Sequence, residues 1–155
     1  VDKEKHTKSG LQAMYLVFGE LLLSSVFESE SVGFKGNNFY NLVIRANTTL
    51  SITEVCLVLK QIEQDNKRQR KEQQFAPRTL DLDLLLYDRQ VSTQPIVLPR
   101  PEVLYNAFVL QPLAEIAPSE IHPVMKKSYA NLWHTYDKSQ QKLWPIKFDW
   151  SPTEI

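Results

Sequence analysis

Read along the chain, apolar and polar positions change period several times, and each change marks an element. Leu11, Met14, Tyr15 and Phe18 recur at helical spacing and predict a helix over residues 3–18, with Gly19 as its stop. Leu21 to Phe27 reads as a strand, and a polar, glycine-bearing loop follows from Glu28 to Asn38. In the next stretch, Phe39 to Thr49, Leu42, Ile44 and Ala46 alternate against Val43 and Arg45, which predicts a second strand. Ser51-Ile52-Thr53-Glu54 has the form of a capping box and opens a helix to about Asp65, its apolar stripe being Ile52, Val55, Leu59 and Ile62. Residues 66–79 form a long basic and polar connection. Beyond it come an acid-bearing strand, a turn at Asp88-Arg89-Gln90, an extended piece at Ile96–Leu98, a helix over Glu102–Ile116 and another within Ser128–Asp137.

The acid-bearing strand, Arg78-Thr79-Leu80-Asp81-Leu82-Asp83-Leu84-Leu85-Leu86, carries the chemistry. Side chains alternate along a strand, so Asp81 and Asp83 share one face and Leu80, Leu82 and Leu84 the other. Two neighbouring carboxylates on a buried strand are costly unless something neutralises them. A hard divalent cation that keeps several waters and bridges phosphate oxygens does so. Arg78, after Pro77, adds a planar cation suited to phosphate. The alternative is a sheet edge with two solvated carboxylates whose leucines form the core face. Basic residues crowded upstream (Lys67, Arg68, Arg70, Lys71) favour the first reading, and a loop of that length in a compact domain is usually functional or disordered.

Composition narrows the classes. With 155 residues the chain is long enough for one domain with a core of its own. Lys plus Arg and Asp plus Glu are equal at 18 each, which disfavours a general nucleic-acid or membrane-surface binder. The single cysteine, Cys56, rules out a disulfide framework and fits a reducing, cytoplasmic setting. His6, His122 and His134 lack metal-ligand spacing.

Two longer strings carry a resemblance. Phe75-Ala76-Pro77-Arg78-Thr79-Leu80-Asp81-Leu82-Asp83, with Asn106-Ala107-Phe108-Val109-Leu110-Gln111-Pro112-Leu113-Ala114-Glu115-Ile116-Ala117-Pro118, resembles the 6-hydroxymethyl-7,8-dihydropterin pyrophosphokinase family, most strongly from Glu63 to Pro118. The resemblance implies an α+β fold, a ferredoxin-like sandwich with an antiparallel sheet, helices on one face and mobile loops over the site. It implies one pyrophosphokinase-like domain over residues 1–155, acting as a cytoplasmic monomer that moves the terminal diphosphate of ATP onto a pterin alcohol. It also places a strand ending in Gly-Ser-Asn before Val1, so about ten further residues are expected there, a typical strand plus a short lead.

The same resemblance assigns roles. Asp81 and Asp83 match the aspartates that hold two Mg2+ ions on the phosphates. Arg68 and Arg78 match phosphate arginines, and Arg70, Glu63, Leu84 and Arg100 fall on the ATP side. Ser29, Val32, Phe39, Asn41 and Phe108 fall on the pterin side, Phe39 and Phe108 as a stacking pair and Asn41 as an amide on the ring edge. Phe75 matches a bulky aromatic on a lid. The chain departs from the family where Arg100-Pro101 replaces a His–aromatic pair. It departs again where Asn106 replaces an Arg two residues before the stacking Phe, and where Ser29-Glu30-Ser31-Val32-Gly33 replaces a T-x-P-x-G-like loop. Two functions follow: a working pterin pyrophosphokinase, or a diverged relative that binds nucleotide or pterin with little activity or acts on another alcohol.

Overall fold

The computed structural model describes residues 3–29, 39–68, 80–139 and 143–152. Among these it is a mixed α+β protein whose elements run α1 (Lys3–Phe18), β1 (Leu21–Leu23), β2 (Val26–Ser29), β3 (Phe39–Asn41), β4 (Ile44–Ala46), α2 (Ile52–Arg68), α3 (Glu102–Tyr105), α4 (Ala107–Ile116), α5 (Tyr129–His134) and β5 (Leu143–Ile146). The chain divides into two compact units: Val1–Leu21, Ala46–Leu84 and Asp149–Ile155 form one, Leu22–Arg45 and Leu85–Phe148 the other.

The first unit is built on α1 packed against α2. The stripe of α1 that is buried comprises His6, Thr7, Gly10, Leu11 and Met14. Gly19 ends the helix as expected: at φ +77° it takes the left-handed conformation, and its N–H returns to the Tyr15 carbonyl at 2.8 Å. The capping box on α2 is formed in both directions, Glu54 N–H donating to Ser51 Oγ at 3.1 Å and Ser51 N–H to Glu54 Oε1 at 2.9 Å. The hydrogen bonds from Ser51 hold the Glu54 carboxyl below its ordinary range. Val55, Leu59 and Ile62 are buried as the stripe requires.

This helix passes the expected stop at Asp65 and reaches Arg68. Asn66 extends the buried stripe by one more turn and is 2% exposed. Both ends of its amide are bonded: Nδ2 donates to the Ile62 carbonyl at 3.0 Å, and Oδ1 accepts from His6 Nδ1 of α1 at 3.3 Å. A polar residue paired in this way costs the helix little, whereas unpaired it would have ended the burial.

In the second unit β2 is central in an antiparallel sheet of order β3-β2-β5, with Ser29 opposite Phe39 and Leu143, and Phe27 opposite Asn41 and Pro145. Pro145 is tolerated because β5 is an edge strand. That proline hid β5 from the sequence reading. β1 and β4 pair in a separate two-stranded sheet. Each expected long strand is therefore split in two, and the cause lies at Ser24 and Val43. Ser24 N–H donates to the Val43 carbonyl, and Val43 N–H donates to Ser24 Oγ, both at 2.9 Å. Ser25 then gives its N–H and hydroxyl to the Glu115 carboxylate.

The helix expected over Glu102–Ile116 is broken at Asn106 into α3 and α4. Val43, Val103, Leu110, Leu113, Ala114, Ala117 and Tyr129 form the core, with Leu85, Leu86 and Trp133 against it. Burial, followed by the nearby Glu120 charge, pushes the Tyr129 phenol up to about 12. The extended piece at Ile96–Leu98 is reduced to a single bridge between Ser92 and Leu98.

Candidate active site

The first unit holds the carboxylates. Residues 80–86 belong to no assigned strand, contrary to the expectation. Their alternation survives: Asp81 and Asp83 are exposed while Leu80, Leu82 and Leu84 are half-buried. Two helices contact this segment. Gly10 of α1 leaves room for Leu80, since a Cβ there would stand 2.8 Å from Leu80 Cδ2. Glu63, on α2 one residue past buried Ile62, accepts the Leu82 backbone N–H on Oε2. Glu63 thus binds the peptide that lies between the two aspartates. Among the described residues, Asp81 and Asp83 are not part of any group of three or more His, Cys, Asp or Glu that could cage a metal.

The second unit carries the residues assigned to the heterocycle. Phe108 is half-buried in the first turn of α4, a helix that lies against β2 and β3. Asn106 caps that helix: its backbone is extended at φ −121°, ψ 111°, and its Oδ1 accepts the Phe108 N–H at 2.9 Å. An Arg at this position has no acceptor for that duty. Asn41 is half-buried in β3 opposite Phe27. Ser29 and Phe39 are partners in the backbone register of β2 and β3.

Arg100 is also in this unit. Its N–H donates to the Leu85 carbonyl at 2.9 Å, and its Nη2 lies 3.1 Å from Glu102 Oε2, with side chains 28% and 29% exposed. A phosphate reaching Arg100 would compete with that carboxylate, a contact the sequence reading did not foresee. The cap at Asn106 was also missed. An Asn directly before an apolar run, in mid-pattern, is a helix-start signal that could have found it.

Arg68 is the last residue of α2, and Leu84 is half-buried. Val32, Arg70, Phe75 and Arg78 lie outside the described residues.

A family model for 7,8-dihydro-6-hydroxymethylpterin-pyrophosphokinase (HPPK) matches residues 1–118. The chain belongs to this family. Proteins named 2-amino-4-hydroxy-6-hydroxymethyldihydropteridine pyrophosphokinase are similar to it. That of Aquifex aeolicus is 36% identical over 107 residues, covering 68% of this chain and 66% of the relative. The Synechocystis protein is 37% identical over 124 residues, 79% of this chain and 62% of the relative. The Bacillus subtilis protein is 38% identical over 96 residues, 61% of this chain and 57% of the relative. The matched regions thus span less than two thirds of these relatives' lengths. All of the carboxylate segment, Arg100, Asn106 and Phe108 fall inside the region matched by the family model.

Proposed function

We propose that this chain transfers the terminal diphosphate of ATP to the hydroxymethyl group of 6-hydroxymethyl-7,8-dihydropterin, releasing AMP, in folate synthesis. The observation that carries the reading is the P-R-T-L-D-L-D run inside the family match, with both aspartates exposed on one side of a segment anchored by the other.

Among the described residues, Asp81 and Asp83 belong to no group of three or more His, Cys, Asp or Glu, and a pair of carboxylates suits Mg2+, which prefers one or two carboxylates, several waters and substrate phosphates to an all-protein cage. Asp81 and Asp83 would hold it. When bound, Mg2+ supplies neutralisation of the triphosphate charge. The chain's own part is to position and to screen. In the reaction the pterin hydroxymethyl oxygen bonds to the β-phosphorus as the bond from that phosphorus to the α,β-bridging oxygen breaks. AMP leaves with that oxygen, and the hydroxyl proton is released.

Arg68 and Arg78 are assigned to the phosphates by the family pattern, and Arg70, Leu84 and Arg100 to the nucleotide. Phe108 and Phe39 would stack on the flat pterin, Asn41 would bond its edge, and Ser29 and Val32 would border it. Phe75 would close over ATP. A ferredoxin-like sandwich and a monomeric, cytoplasmic enzyme complete the proposal. The antiparallel β3-β2-β5 sheet with α4 against it supports the former.

A second reading, a diverged relative with weak activity, draws on two observations: Arg100 is ion-paired to Glu102, and Asn106 is occupied as a helix cap. AMP release from MgATP, measured with and without the pterin alcohol, separates the two. Release that requires the pterin supports the enzyme, and none in its presence supports the diverged relative.

A further inference from the structure

We infer that Glu63 is a positioning residue for the Asp81–Asp83 pair, acting through the backbone amide of Leu82. The inference rests on the metal-carboxylate reading above and deepens it by naming what holds the carboxylates in place.

The Leu82 N–H, which lies between the two aspartates, donates to Glu63 Oε2. An ionised acceptor makes this stronger than a neutral peptide bond partner would. Leu80, on the same face as Leu82, is seated over Gly10 of α1. Residues 80 and 82 are thus tied to two different helices, which leaves the alternate residues, Asp81 and Asp83, facing solvent together.

The anchor is itself fixed. Ile62 and Asn66, on either side of Glu63 along α2, are 5% and 2% exposed, and Asn66 is bonded to His6 of α1. The carboxyl of Glu63 therefore projects from a rigid turn of helix. Outer groups of this kind, which orient metal-binding side chains without touching the metal, typically cost about 10- to 100-fold in metal affinity when removed. A nucleotide contact by Glu63 would instead raise the KM for ATP and leave binding of the metal alone unchanged.

The test uses Mn2+ alone as the probe, titrated into the full chain and followed by its electron paramagnetic resonance signal. Glu63→Met removes the acceptor and keeps a good helix former, while Glu63→Gln keeps a neutral acceptor. The Met variant should bind Mn2+ about 10-fold more weakly or worse, and the Gln variant should stay within about threefold of the parent.

Asp81→Asn is the reference. Retention of parental Mn2+ binding in Asp81→Asn would overturn the carboxylate site itself. Loss in Asp81→Asn with parental binding in Glu63→Met would overturn only the role of Glu63. Gln behaving like Met would overturn action through the amide. A measurement on the unmodified protein covers the case in which a variant does not fold: the Leu82 amide, bonded to Glu63 Oε2, should be protected from hydrogen exchange, and an amide exchanging at the rate of a free peptide overturns the inference.

Discussion

Asn106 joins fold and chemistry at one atom, and replacing it with Ala should destabilise the protein by about 1 kcal/mol, within a range of about 0.5–2. That figure is the ordinary cost of losing a helix N-cap. The geometry puts this cap within the ordinary range, with a single bond of 2.9 Å to a half-buried amide in a helix of 10 residues. Asp keeps the acceptor, so Asn106→Asp should match the parent. Gly should cost only a few tenths of a kcal/mol. Arg, the residue that the family pattern would place here, should cost as much stability as Ala while adding a cation on the phosphate side. Urea unfolding followed by tryptophan fluorescence reads the stability, and a loss of about 1 kcal/mol corresponds to about 2–4 °C in Tm for a chain near this length. The capped turn holds Phe108, so Ala should also weaken pterin binding more than ATP binding. Equal stability for Ala and parent, or an equal loss in Asp and Ala, would refute the cap.

Three further outcomes are expected. Phe108→Ala should weaken the pterin, measured by calorimetry, by about 0.5–1.5 kcal/mol beyond lost area and leave ATP binding nearly unchanged, whereas equal losses would mean the fold had failed. Burial holds the His122 imidazole below its usual value, and its Nδ1 accepts the N–H groups of Val124 and Met125 at 3.2 and 3.0 Å. The unfolded chain takes up that proton near pH 6.5 while the folded one resists it, so this stability is fully present above about 6.5 and falls as the pH drops toward the folded value. His122→Asn should flatten that loss between pH 7 and 5 in urea titrations, and an unchanged slope would contradict the buried neutral ring. Glu102→Gln should tighten MgATP binding by removing the carboxylate charge 3.1 Å from Arg100, and unchanged affinity would remove Arg100 from the nucleotide site.

Periodicity made the helices legible. The bounds of α1 and the cap of α2 follow from residues only three or four apart, because both depend on local contacts. The strands were misjudged where distant groups intervene: Ser24 meets Val43, and Ser25 meets Glu115, ninety positions away. No local pattern records such bonds. The aspartate pair was visible as an alternation, yet what anchors it, Glu63 on Leu82 and Gly10 under Leu80, comes from helices far earlier in the chain. Arg100 was placed on the ATP side without its ion-pair partner because Glu102 was seen only as the start of a helix. Asn106 read as a lost Arg, when its short side chain gives α4 its first turn.

Phosphorus NMR of MgATP incubated with the protein and 6-hydroxymethyl-7,8-dihydropterin tests the central proposal most directly, because it distinguishes what is transferred. AMP and a pterin diphosphate ester should form in equal amounts, with neither formed by Asp81→Asn or Asp83→Asn. ADP with a pterin monophosphate, ADP with inorganic phosphate, or parental turnover in either Asn variant would contradict it.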